Sequence, residues 1–149
     1  MESPDRDASR TLDGRLGYLL VRAAMRVRQR YTAVLSVHGL LPNQHAILSR
    51  LNEIGPSHQK QLADRVGLDP GDIIAYLDGL YKAGYIHRDR DPADRRRQIV
   101  AVTPAGVDVL DIADRALDAM EEDTFASLAV AEKTSFAEQL ARLSESLGR

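Results

Sequence analysis

Apolar side chains recur at three- and four-residue steps from Leu12 through Leu16, Leu19, Leu20, Ala23, Ala24, Val27, Tyr31, Val34 and Leu35, the period of a helix that buries one stripe. The pattern predicts a long first helix running to His38-Gly39, where glycine supplies a C-terminal stop. Ala46, Ile47, Leu48 and Leu51 predict a second helix over Asn43 to Ile54, broken by Gly55-Pro56. Leu62, Ala63 and Val66 predict a short third helix, Gln59 to Val66, capped by Ser57 and ended by Gly67. The next helix begins almost at once, with Asp69 as cap, Pro70 at the first helical position and Asp72 in a capping-box-like arrangement. Ile73, Tyr76 or Leu77, and Leu80 form its inward stripe, and Ala83-Gly84 stops it. Two short helices joined by a tight glycine-containing turn form a helix-turn-helix.

The pattern then changes. Tyr85-Ile86 and the β-branched run Ile99 to Val102 flank a charged centre with turn chemistry at Asp91-Pro92 and Asp94, which predicts a β-hairpin with a long basic tip. Thr103 as cap and Pro104 at the first helical position open another helix. It extends to about Glu122, with Val107, Leu110, Ala113 or Asp114, Leu117 and Met120 on one stripe. A final helix over Ala131 to Leu147 carries Phe136, Leu140, Leu143 and Leu147. The expected fold is mostly α with a small β-hairpin wing. A winged helix-turn-helix occupies residues 42–103, long dimerisation helices occupy 12–38 and 104–149, and residues 1–11 form a flexible polar arm. Helices at both ends carry more apolar surface than one small winged domain needs, so the expected partner is a second copy of the chain. Such a dimer sets two recognition units about one DNA turn apart.

Composition narrows the chemistry. The 149 residues hold 44 % hydrophobic and 28 % charged positions, a globular balance, and no apolar run long enough to span a membrane. Met1 to Asp5 lacks the basic and apolar pattern of a signal peptide, so a cytoplasmic location is expected. The absence of cysteine removes disulfides, thiolate metal sites and thiol switches. The net charge of −2 conceals a strong asymmetry. Residues 12–38 carry five arginines against one aspartate, and 85–100 five arginines against three aspartates, while 104–149 hold ten acids against four bases. One face therefore suits a polyanion. His38, His45, His58 and His87 form no ligand motif, and no phosphate loop or nucleophile elbow occurs. No enzyme activity and no cofactor are expected. Asp108, Asp111, Asp114 and Asp118 recur at helical spacing and read as a solvated face.

The order of helix-turn-helix, basic hairpin and terminal helices resembles the MarR family of winged helix-turn-helix regulators. The most specific stretch is Asp91-Pro92-Ala93-Asp94-Arg95-Arg96, followed by Val102-Thr103-Pro104-Ala105-Gly106, with Leu80 and Gly84-Tyr85-Ile86 in support. The resemblance implies a homodimer on a pseudo-palindromic double-stranded DNA operator, often a repressor, with small ligands weakening the grip in many members. It implies that Arg96, flanked by Arg95 and Arg97, approaches the minor groove, with Arg88 and Arg90 nearby, and that Asp94 holds an arginine in place. Lys60 and the helix N-termini at Asn43 and Ser57 are further phosphate contacts.

The recognition helix departs from the family, with no lysine or arginine from Asp69 to Tyr81 and with Gly71, Asp72, Ile74, Ala75, Asp78 and Gly79 outward. Its aspartates either cap the helix or join a readout in which Ile74 and Ala75 meet thymine methyls and Asp72 accepts from cytosine. Tyr18, Arg22, His38 and His45 are candidates for the polar lining of an effector pocket. The acidic helix leaves one rival: a dimeric ligand-binding or protein-interaction module that has lost DNA recognition.

Overall fold

The computed structural model describes residues 10–148. The first nine residues of the expected arm lie outside the described residues. Among the described residues, six α-helices and three short strands follow in chain order: α1 Leu16–Ser36, α2 Pro42–Ile54, β1 Ser57–His58, α3 Gln59–Val66, α4 Asp72–Lys82, β2 Ile86–Arg90, β3 Gln98–Val102, α5 Pro104–Thr124 and α6 Val130–Leu147. The fold is mostly helical with a small antiparallel sheet, as the residue pattern predicts. No helix among the described residues is long and apolar enough to cross a membrane.

Three helix starts differ from expectation. α4 begins at Asp72, so Pro70 lies in the preceding turn rather than at the first helical position. The first long helix starts at Leu16 rather than Leu12, because Arg15 is extended. Leu12–Gly14 forms a separate 3-10 turn, closed by a 3.2 Å hydrogen bond from the Gly14 amide to the Thr11 hydroxyl. Ser57 does not cap α3. It lies in β1 opposite Val100 of β3, is 6 % exposed, and its hydroxyl donates to the Gly55 carbonyl at 2.9 Å. His58 stands at the α3 N-terminus without a side-chain cap.

The sheet order is β1-β3-β2, with Ile86 opposite Val102 and Arg90 opposite Gln98. Val100 at its centre is fully buried and joins one core with Leu35, Leu40, Ile47, Leu48, Leu51, Leu62, Ile73, Leu77, Leu80 and Ile86. Leu110, Ala113 and Leu117 extend that core along α5. The predicted stripe on α4 is correct: Ile73, Leu77 and Leu80 are inside.

The base of the wing is locked by the chain on either side of it. At the end of α4, Gly84 takes φ +80°, the Tyr85 amide reaches back to Leu80 O, and the Gly84 amide reaches Tyr81 O. That double closure needs a left-handed residue, which glycine adopts without Cβ strain. Thr103 then ties the two ends together. Its amide donates to Tyr85 O at 3.0 Å, its hydroxyl donates to Gly84 O at 2.7 Å, and the same oxygen accepts from the Gly106 amide at 3.0 Å. A Cβ on Gly106 would lie 2.2 Å from Tyr85 O, so the approach of α5 to the wing base excludes any side chain there.

The terminal helices are different. α1 and α5 are joined at one end by Tyr31, whose hydroxyl donates to Glu121, and by Arg30, which donates to Thr124 at 2.9 Å. Burial pushes the Tyr31 hydroxyl well above the usual tyrosine range, and the neighbouring Glu121 carboxylate adds to the rise. Toward its N-terminus, α1 leaves Leu16, Leu19, Val21 and Met25 exposed. No residue of α6 is buried, and Val130, Phe136, Leu143 and Leu147 face outward.

Candidate nucleic-acid interface

The charged centre of the hairpin belongs partly to strand and partly to loop. Arg88 and Arg90 lie in β2, on a register fixed by pairing with Val100 and Gln98. Arg95, Arg96 and Arg97 lie in a tip folded on itself: the Asp91 amide donates to Arg97 O at 2.9 Å, and the Arg97 amide to Asp94 O at 2.9 Å. Two aspartates organise this tip from within. Asp94 Oδ1 accepts from the Arg96 amide at 3.1 Å and from Arg96 Nε at 3.2 Å, and Oδ2 stands 3.7 Å from Arg97 Nε. Asp91 accepts from the Ala93 amide at 2.9 Å and pairs with His58 Nε2 at 2.8 Å, anchoring the tip to the start of α3.

Both carboxyls are held below the usual aspartate value, Asp91 chiefly by the His58 hydrogen bond and Asp94 chiefly by the Arg96 hydrogen bond. Both remain anionic at neutral pH, so the tip keeps its internal acceptors. The Arg96 side chain stays 91 % exposed while Asp94 orients it. A charge held in place yet open to solvent is available to a ligand.

Arg88 has a different role from the other wing arginines. It donates to Asp78 of α4 at 2.6 Å and lies over the Tyr81 ring at 4.7 Å from its centroid. These contacts make it a strut between the wing and α4. Asp78, one of the acids of α4, is thereby paired with a cation.

The wing, α3 and the start of α4 enclose a cleft of about 870 Å³. Lys60, Arg88, Arg90, Arg95, Arg96 and Arg97 line it, against the single carboxylate of Asp64. His58, Gln59, Gln61, Pro70 and Gln98 add polar and turn surface, and Ile74 is the residue α4 contributes. Gly71, Asp72 and Ala75 are exposed but do not line the cleft. α4 begins at Asp72, and no side chain caps it. The proposed caps at Asp69 and Asp72 are therefore not formed; the Asp69 backbone carbonyl accepts from the Asp72 and Ile73 amides instead. Ser57 is turned into the sheet and is withdrawn from the surface. Asn43 lies in the first turn of α2, half-buried, next to Gln44, whose side-chain oxygen accepts from the Leu41 amide at 2.9 Å.

The pocket candidates do not converge within one chain. Arg22 donates to the Tyr18 hydroxyl at 3.2 Å on α1, whereas His45 pairs with Asp114 of α5 at 2.7 Å. Asp114 keeps half of its side chain exposed while it pairs with His45. His38 lies in the turn after α1. A second cleft, about 460 Å³, opens between α5 and α6 along Asp118, Glu121, Phe125, Phe136 and Leu140, and contains none of these four residues.

The sequence missed His58 and Asp78. Their partners lie 33 and 10 residues away and meet them only after the wing folds back. The available signal was complementary hydrogen-bonding chemistry alone.

Comparison with known proteins agrees with this geometry. The MarR family profile matches residues 40–97. The crystal structure of a probable transcriptional regulator from Pseudomonas aeruginosa is 35 % identical, with 89 % of this chain and 99 % of that one covered and a TM-score of 0.77. The transcriptional repressor CouR bound to a 23-mer DNA duplex is 27 % identical over 91 % of this chain and 96 % of its own, with a TM-score of 0.86. CouR from Rhodococcus jostii RHA1 is also known bound to p-coumaroyl-CoA. The uncharacterized HTH-type transcriptional regulator YcgE of Bacillus subtilis is 39 % identical over 70 residues, which cover 47 % of this chain and 46 % of YcgE.

Proposed function

The chain belongs to the MarR family of transcriptional regulators, and from that premise we propose that it is a repressor acting as a homodimer on a pseudo-palindromic operator, released by a small ligand. It is a regulator rather than an enzyme, as its relatives are. The observation that carries the DNA reading is the cationic cleft: six basic side chains around one recognition helix, with Arg96 oriented by Asp94 and open to solvent. Lys60, Arg90, Arg95 and Arg97 face phosphates, Asn43 and the α2 N-terminus add a backbone contact, and Arg96 enters the minor groove. There its planar, weakly hydrated cation meets the most negative potential of the duplex. Arg88 sets the distance between wing and helix. Gly71, Asp72 and Ala75 flank the major-groove contact.

The dimer reading rests on the uncovered apolar face of α1 and α6. The release reading rests on the relative that is known with both DNA and an acyl-CoA. Tyr18 and Arg22, on the part of α1 left uncovered, would line an effector pocket with His38 and His45 once a second chain is present.

Selection of bound sequences from a random DNA pool tests the reading. An inverted repeat is the expected product. No enrichment would favour the rival module without DNA recognition, which the absence of lysine and arginine from Asp69 to Tyr81 motivates. On the selected operator, Arg96→Ala should lower the slope of log affinity against log salt by about one unit per lost phosphate-proximal charge. An unchanged affinity and slope would remove the wing from the interface.

A further inference from the structure

Ile74 stands apart in the cationic cleft. It is 48 % exposed on a helix whose other large aliphatic residues, Ile73, Leu77 and Leu80, are fully enclosed. It is also the residue of α4 that lines the cleft, beside Pro70 and facing the basic side chains of α3 and the wing. An isoleucine in that place makes no hydrogen bond, repels no phosphate and adds nothing to the core.

We infer that Ile74 determines operator specificity by packing on the 5-methyl group of a thymine in the major groove. This deepens the DNA-binding reading and rests on it. Of the four base pairs, only those with thymine present an apolar group on the major-groove edge. The cations around Ile74 draw a duplex into the cleft, and the side chain then meets base edges rather than phosphates. The two other features of α4 agree. Asp78, one turn along α4 from Ile74, is paired with Arg88. Asp72, which lies outside the cleft lining, takes no part in capping. A helix with no lysine or arginine before Lys82 in its last turn, and no side-chain cap, thus discriminates by apolar contact, while the arginines supply attraction without sequence preference.

The test uses the full chain and the operator obtained by selection. Each thymine is replaced in turn by deoxyuridine, which deletes only the methyl group. At one position per half-site the replacement should weaken binding about fourfold, the value of one buried methyl-sized group. Ile74→Ala should bind the thymine and uracil operators equally well at that position, and Ile74→Val should keep part of the difference. Arg96→Ala should keep all of it while weakening both. Because Ile74 is half-exposed, an unchanged unfolding curve is expected for each Ile74 variant. The inference is overturned if no thymine shows methyl dependence, or if Ile74→Ala retains the full fourfold difference. Selection that enriches no sequence would sink the DNA-binding reading itself, an outcome distinct from an enriched operator that is blind to the methyl group.

Discussion

Leu77 and Leu16 are the same residue type on helices of the same chain, yet Leu77 is fully enclosed and Leu16 is 81 % exposed. Between Leu40 and Thr103, the apolar stripes of α2, α3, α4 and the sheet close on one another, leaving Leu41, Ile54, Ile74 and Tyr81 outside, and even the buried polar atoms of Thr103 are bonded. Along the first half of α1 and the whole of α6, an equally periodic set of leucines, valines and phenylalanine remains open to water. Periodicity alone therefore says that a stripe exists, not which chain covers it. Burying one such side chain is worth about 1.5–3 kcal/mol, so the terminal helices hold a large unspent driving force for association, whereas the winged region has used its own.

Substitutions at matched positions separate the two regions. The largest effect is expected from Leu77→Ala, which empties the centre of the enclosed core and should lower the free energy of unfolding in denaturant by about 2–5 kcal/mol. Leu16→Glu should leave that core intact while weakening self-association by about 1.5–3 kcal/mol for each exposed leucine lost from the contact. Light scattering at micromolar concentration should show the mass of two chains for the parent and a shift toward one for the variant. A monomeric parent would end the proposed dimer.

The glycines give the smallest and most pointed contrast. Gly106→Ala forces a Cβ against the Tyr85 carbonyl and should cost about 1–3 kcal/mol in thermal or chemical unfolding. Gly17→Ala meets nothing within 4 Å in its own chain. In an isolated chain it should stabilise α1 by about 0.5–1 kcal/mol. A loss at Gly17 instead of a gain would show that another chain approaches the helix there.

What could be read from the residues follows the same division. The helices of the winged region were legible because each carries a full turn or more of periodic apolar positions and a glycine stop. The hairpin was legible from its β-branched return strand and aspartate-proline turn. β1 was not, because two residues carry no period and Ser57 before a helical run looks like a cap; only pairing with Val100 and Ile99 makes it a strand. The break at Arg15 was hidden for a related reason, since Leu12 keeps the spacing of the helix that it does not join. At the site, the arginines were visible as a cluster, but their separate duties were not. Arg88 differs from Arg96 by its contacts with Asp78 and Tyr81, and nothing local to residue 88 announces them.

The wing tip has one more consequence. From Asp91 to Arg97 its backbone closes on itself, and the two strands meet it through the single pair Arg90 and Gln98. It is thus a cassette: a seven-residue loop can be exchanged for a longer or differently charged one without shifting the register of Ile86 and Val102 below it, provided Asp91 remains to hold His58. A designer can graft there for the same reason.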